Sequence, residues 1–423
     1  MQPKLLTTIR DYSWRVFLGD ALAGITVALV ALPLSIAIAI ASGADPRAGL
    51  ITAIVAGMLI SLLGGSRVQI GGPTGAFIVV VFSTIEQHGY DGLLLATLMA
   101  GVILVISGLL RFGRFIALVP EAVIEGFTVG IALIIGVSQF KDLLGLSATK
   151  VSAVLVQALP ALWAAREAIN PIALAVGLLS IGGIAMLRRI ALWFPGSIVV
   201  IAAASAAAAL IALPVETIYS RFGTLPSGIP APSLPKVSIA QISALLPSAF
   251  VIAFLAAVES LLSAIVADRM IGGRHRSNAE LLAQGAANIA SPLFGGLPAT
   301  GAIARTATNV RAGGQTPIAG VVHALIILLI TLGAGHLTGY LAMPALAALL
   351  IVTAWVMSEP HRWRERMRLP PGDRSLLFLT MILTVVTDLT IAIAVGTVAG
   401  LALRLIRKNI EPEGWTPEDR SQL

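Results

Sequence analysis

The sequence predicts an all-α polytopic membrane protein. It would have fourteen transmembrane segments in two inverted halves of seven, with two half-helices each preceded by a short extended segment. Three observations predict it. The chain of 423 residues is 57% hydrophobic and 12% charged, where a soluble domain carries roughly 25% charged residues. Its apolar residues form discrete runs, and its basic residues gather in alternate loops between them. One helix-breaking phrase, GGPTGAF at Gly71–Phe77, returns as GGLPATGAIAR at Gly295–Arg305.

The runs lie near 19–41, 48–64, 70–84, 92–110, 118–138, 172–187, 194–213, 244–267, 279–294, 300–310, 317–335, 338–357, 375–387 and 389–406. Several are shorter than the roughly 20 residues of a straight span. Let alternate loops face the cytoplasm, beginning with the N-terminus. The inside then holds 21 of the 28 lysines and arginines, the outside 6, and Arg305 lies at membrane depth. The net charge of +7 is thus explained by the positive-inside rule, with both termini cytoplasmic in a cell (inner) membrane. It does not call for nucleic acid as a partner. Residues 1–18 are polar and basic and the first run has the length of a full span, unlike a signal peptide. There is no cysteine, the five histidines lack metal-ligand spacing, and no Walker sequence occurs. Thiol chemistry, a resident metal or cofactor, and ATP-driven pumping by this chain are therefore not expected.

Two long outer segments interrupt the spans. Residues 141–171 include the amphipathic VSAVLVQALPALWAAREAI, and residues 214–243 form a proline-rich connector near the midpoint. Thr74-Gly75-Ala76 recurs as Thr300-Gly301-Ala302, an offset of 226, and Pro120 recurs as Pro344, an offset of 224. Seven spans is an odd number, so the second half enters from the opposite side. Two such halves form an inverted repeat, the plan of many secondary transporters.

Gly71, Gly72 and Pro73 sit badly in a helix interior but well before a helix start. One short helix is expected to begin near Thr74 and its counterpart near Thr300. Their N-termini carry unpaired N–H groups and roughly half a positive charge each. The set Thr74, Gly75, Ala76, Phe77 and Gly301, Ala302, Ile303, Ala304 therefore forms a candidate anion site without a lysine. Arg305, expected in the second turn of the later helix, adds a full charge. Its alternative role is a structural salt bridge to Glu259. Glu259 is about 15 Å from the inward end of the eighth run, halfway across a roughly 30 Å core. It is the repeat mate of Pro33, and Ser263 lies one turn on, on the same face. Low-dielectric surroundings disfavour a charged carboxyl, so Glu259 can carry a proton. With Ser263 it could instead help hold Na⁺, or it could simply partner Arg305.

Weaker candidates carry structural readings. Glu121 is expected to cap its helix, Glu125 to be interfacial or gating, Asp388 to cap the last span. His323 is expected to be a packed, hydrogen-bonded histidine. The run HRWRERMR, His361–Arg368, is expected to be a basic face near anionic membrane lipid.

These residues resemble the sulfate-permease-type anion transporters over essentially the whole membrane region. VALPLSIAIAIASGADPRAGL looks like that family's first span, and PEAVIEGFTVGIALIIGVSQFKDLLG like its fifth. In NIASPLFGGLPATGAIARTATNVRAGGQTPIAG, the Arg305-Thr306 pair, Asn309 and Gly313-Gly314-Gln315-Thr316 fall in family register. The resemblance implies a seven-plus-seven, UraA-like fold and a homodimer. It implies a core domain (19–114 and 244–335) and a gate domain (115–243, including the connector, and 336–408). These would be flanked by a cytoplasmic segment 1–18 and a tail 409–423. It implies an anion held between the third and tenth helix starts, with Ser35 and Ile38 of the first span beside it. Arg305 matches the site arginine, and Glu259 and Ser263 match positions that form an acid and a hydroxyl in a sodium-coupled member. Two departures stand out. The family's Pro-Gln is Pro33-Leu34 here, removing a polar contact. Only about 15 residues follow Lys408, so the usual C-terminal STAS domain is expected to be absent.

The expected function is secondary active transport of a small anion (sulfate, bicarbonate, chloride or a dicarboxylate) by alternating access with proton symport. The rival readings are sodium coupling, a nucleobase–proton symporter of the same fold, a passive anion channel, and a membrane anchor. Arginine in place of an acid at the tenth helix start argues against the nucleobase. Two costly helix breaks serve no anchor.

Overall fold

The computed structural model describes residues 2–9, 12–113, 120–146, 155–190, 195–224, 228–235, 239–387 and 389–406. Asp388 lies outside them, as do residues 407–423. Ser13 opens the first long helix, α1 (Trp14–Ala41), its hydroxyl accepting from Val16 N–H; Pro33 sits inside without ending it. Asp45 caps α2 (Pro46–Leu63), whose first residue is a proline. Burial pushes the Asp45 carboxyl up. The hydrogen bonds and charge of Arg47 outweigh that and hold it below its ordinary value.

A two-residue strand, β1 (Gly71–Gly72), follows, then one 3₁₀ turn at Gly75–Phe77 and α3 (Ile78–Leu109). α3 is two helices joined at Gly89, where φ 72° and ψ 178° break the ladder. Then come α4 (Glu121–Ser138), α5 (Pro171–Ile190) and α6 (Gly196–Leu210). The second half runs α7 (Ile239–Ile271), α8 (Ser277–Leu293), β2 (Thr300–Gly301), α9 (Ile303–Arg311) and α10 (Ile318–Ala334). It closes with α11 (Met343–Met357), α12 (Pro371–Val386) and α13 (Leu389–Ile406). Each half thus reads helix, helix, strand, short helix, helix, then three more. Among the described residues, eight helices are long and apolar enough to cross a membrane, and two shorter apolar ones span Gly196–Leu210 and Ile391–Leu403.

Packing follows the repeat. α3 lies on α7 and α8, α10 lies on α1 and α2, and α9 packs on α7 and α1. Separately, α4 lies on α12 and α11, α5 on α11 and α6, and α12 on α13. Small residues set these approaches, as membrane helices require. At the α3–α8 crossing, a Cβ on Gly101 would stand 2.8 Å from Gly285 O, and one on Gly285 would stand 2.8 Å from Gly101 O.

Two expectations are corrected here. The later short helix begins at Ile303, not near Thr300, because Thr300 and Gly301 extend into β2. And HRWRERMR is not simply a basic face toward lipid. Arg366 is buried, pairing with Glu125 at 3.2 Å and Glu359 at 3.2 Å, while Arg362 reaches Glu125 at 2.9 Å. Glu125 is therefore the acid of an ion-pair cluster. Glu121 stands in the first turn of α4, as expected, and also faces Arg362 at 3.7 Å.

Candidate functional site

The two broken helices meet through their lead-ins. β1 and β2 pair antiparallel, Gly71 opposite Gly301 and Gly72 opposite Thr300. Ala302 N–H donates to Ile70 O at 2.9 Å, extending the contact. Unwound backbone at membrane depth needs partners, and each half supplies them to the other. The pairing is then held from outside. Asn288 donates to Ala299 O at 2.8 Å and accepts from Ala299 N–H at 2.9 Å, and the Thr300 hydroxyl donates to Ala256 O at 2.8 Å.

Both strands need glycine. Gly72 has φ 149°, and a Cβ there would lie 2.3 Å from Arg305 Nη1. A Cβ on Gly301 would lie 1.5 Å from Gln69 Nε2, which donates to Ser260 Oγ at 2.8 Å. Gly301→Ala must displace Gln69 and break that bond, a cost of about 1–3 kcal/mol. The expected result is a lower melting temperature in detergent, restored in part by adding Gln69→Ala. Equal melting of the single variant and wild type would show the contact to be soft.

Past the strands the helices start. In α9, Thr306 N–H is the first to reach a main-chain acceptor, Ala302 O, at 2.9 Å. The N–H groups of Ile303, Ala304 and Arg305 precede it in the ladder. In the other half, Phe77 N–H bonds Thr74 O at 3.2 Å, leaving those of Gly75 and Ala76 ahead of the ladder. So Gly301 belongs to the strand rather than to the helix start. Ile303 is 42% exposed and Ala304 is also exposed. The mouth of α9 is open while the residues behind it are not.

Arg305 stands in the first turn of α9, not the second, and is 2% exposed. Its Nη2 donates to Pro73 O at 2.9 Å and to Ser35 Oγ at 3.2 Å, and its buried Nη1 has no partner. Glu259 does not pair with it. The Glu259 carboxylate instead accepts from the Thr74 hydroxyl at 2.8 Å. The structure therefore brings Thr74, Glu259, Ser35 and Arg305 to one junction between α1, α7 and the two helix starts. Ala76, Phe77 and Ile38 are buried around it. Ser263 turns elsewhere, sharing a hydrogen bond of 3.1 Å with Thr306, whose hydroxyl also accepts from Ile70 N–H. His323 is buried as expected but not hydrogen-bonded: neither ring nitrogen has a partner.

A buried polar group missed in the sequence orients this junction. Ser260, next to Glu259, accepts from Gln69 and Gln284 and donates to Glu280 Oε1 at 2.9 Å. Glu280 Oε2 takes Gly65 N–H at 2.8 Å. The network fixes the rotation of α7 and so aims Glu259 at Thr74. Its signal was available, since Glu280, Gln284 and Asn288 recur every four residues and so line one face of the helix.

Two opposed helices unwound at mid-depth around a buried cation define a membrane transporter of the inverted-repeat kind. The sequence matches the sulfate permease family over residues 17–402, and the chain belongs to that family. It is a transporter, not an enzyme, and its relatives carry anions. A putative sulfate transporter, YvdB of Bacillus subtilis (strain 168), is 40% identical over 389 residues, 92% of this chain and 73% of the relative. The bicarbonate transporter BicA of Picosynechococcus sp. is 30% identical over 415 residues, 93% of this chain and 71% of its own. The solved transmembrane domain of a cyanobacterial BicA superposes with a TM-score of 0.81 at 28% identity, covering 92% of this chain and 98% of that structure.

Proposed function

We propose that this protein is a secondary active transporter of a small anion, working by alternating access and coupled to protons. Sulfate and bicarbonate lead the candidates because similar proteins bear those names; chloride and dicarboxylates follow. The anion would lie between the starts of α3 and α9. It would face the N–H groups of Gly75, Ala76, Ile303 and Ala304, with Arg305 Nη1 as the charged donor. Core elements (19–114 and 244–335) would move against gate elements (115–243 and 336–408) around that point, in a fourteen-span homodimer of the inner membrane with cytoplasmic termini.

One observation carries the coupling. Glu259 shares the junction with Arg305 yet is not neutralised by it. A bare carboxylate beside an anion site repels the anion. A proton on Glu259 removes that repulsion, so anion and proton would bind together. The Thr74 hydroxyl can hold either form of the acid.

The test is uptake by purified protein in liposomes, with labelled sulfate, bicarbonate, chloride and succinate offered in turn under an inward proton gradient or an inward sodium gradient. Accumulation of one anion on the proton gradient is the expected result. Accumulation on sodium alone would replace the coupling ion. Flux that never exceeds equilibrium under either gradient, at channel-like rates, would end the symport reading.

A further inference from the structure

A polar cavity lies away from the transport junction, on the face that the positive-inside pattern assigns to the cytoplasm. The loop after α2 is clamped between two other segments. Lys4 N–H donates to Gly64 O at 2.9 Å, Arg276 N–H donates to Gly65 O at 3.0 Å, and Arg276 Nη1 donates to Gln2 O at 2.8 Å. These main-chain ties gather three cations, Lys4, Arg67 and Arg276, from distant parts of the sequence. Burial, and then the charges of Arg276 and Arg67, hold the Lys4 ammonium below its usual range, with Asp268 opposing.

Among the described residues, the acids nearby are engaged. Asp268 holds His275 through ring and main-chain nitrogens at 2.6 and 2.7 Å. Asp20 takes the Tyr12 hydroxyl, the N–H groups of Gln315 and Thr316, and the Thr316 hydroxyl. Glu280 is buried beneath the loop, inside the network around Ser260. Among the described residues, the side chains of Lys4 and Arg67 make no ion pair. They face a cavity of about 300 Å³ floored by Thr7, Thr8, Tyr12 and Thr316. Like charges assembled by backbone bonds, and free of direct ion pairs among the described residues at a polar cavity, fit an anionic ligand.

We propose that this cavity binds a phosphate group, carried by an anionic phospholipid headgroup or by a soluble phosphate compound. Trp14, 70% exposed and stacked on Phe17 with ring centroids 5.0 Å apart, opens α1 beside it. Tryptophan at a span end marks the headgroup level, which favours the lipid. Occupancy would brace the segment before α1 against the loop of α2, two helices of the bundle that carries Arg305.

The experiment uses the full chain in neutral detergent, with melting followed by intrinsic fluorescence. Phosphatidic acid, phosphatidylcholine and inorganic phosphate are the three probes. Wild type is expected to be stabilised by phosphatidic acid and not by phosphatidylcholine. Lys4→Ala/Arg67→Ala is expected to bind phosphatidic acid about 30-fold more weakly, on roughly a factor of several per charge. Arg305→Ala is expected to keep the wild-type response, which separates this cavity from the transport site. Equal stabilisation by inorganic phosphate, lost in the double variant, would assign a soluble source. An unchanged response in the double variant, or none in wild type, would overturn the proposal. The transport reading stands or falls separately, on uptake by the wild-type protein in liposomes.

Discussion

Arg305→Ala is expected to abolish anion binding and uptake while leaving a folded protein. The guanidinium is 2% exposed, has no carboxylate partner and leaves Nη1 unbonded. Hydrogen bonds from a charged donor contribute roughly 1.5–3 kcal/mol each. Losing one, together with the charge that faces the anion, should weaken binding on the order of 100-fold or more. Stability should move far less, because two effects oppose each other. Removing a buried, unneutralised charge relieves its desolvation. Freeing Pro73 O from Nη2 leaves an acceptor short of a partner, at about 1–3 kcal/mol. Arg305→Lys is the sharper companion. Lysine keeps the charge but not the two nitrogens, Nη2 that holds Pro73 O and Ser35 Oγ and Nη1 that is left for the anion. It should recover part of the binding and little of the turnover. Binding is read by calorimetry with the transported anion, folding by melting and gel filtration. Wild-type affinity in Arg305→Ala would make the residue a strut between α9 and the start of α3, and the anion site would have to be sought elsewhere.

The fold was legible because membrane constraints write themselves into sequence. Apolar runs, basic loops and the doubled glycine–proline break each have a single physical cause, and all three agree. What was illegible lay between the halves. Thr300 looks like the mate of Thr74 at a helix start, yet it ends in a strand. The cause is the register of Gly72 opposite Thr300, a tertiary fact with no local signature. Charge complementarity suggested Arg305 with Glu259. The geometry gives the arginine a carbonyl and the acid a hydroxyl, because Nη2 reaches Pro73 O across the β1–β2 junction. Helical spacing put Ser263 with Glu259 correctly on one face, but it could not foresee that Thr306 would take the hydroxyl. HRWRERMR failed for a similar reason: its counter-charge, Glu125, lies 241 positions before Arg366. Local chemistry could thus be read residue by residue, whereas pairings between distant segments could not.

Glu259→Gln is expected to uncouple transport from protons without stopping exchange. Glutamine keeps the shape and can still accept from the Thr74 hydroxyl, so the 2.8 Å contact need not be lost. What changes is that the side chain is neutral at every pH. If Glu259 binds the proton that admits the anion, wild-type uptake should rise as external pH falls, since protonation removes the repulsion. With membrane potential clamped at zero and one proton carried per anion, a gradient of one pH unit should support about tenfold accumulation. The glutamine variant should bind the anion with little pH dependence and equilibrate it in both directions. It should accumulate none on a proton gradient, because neutrality is permanent rather than gated. The measurement is counterflow and gradient-driven uptake in the same liposomes across external pH 5.5–8. A variant that still concentrates anion on a proton gradient would move the coupling away from Glu259. His323, buried with both ring nitrogens unbonded, would then be the next residue to replace. Sodium dependence that vanishes in Glu259→Gln would keep the residue and change the ion, since a carboxylate beside a hydroxyl offers hard oxygen ligands to Na⁺ as readily as a seat for a proton. In each outcome the acid beside Thr74 is read through its charge, which is the one property the substitution removes.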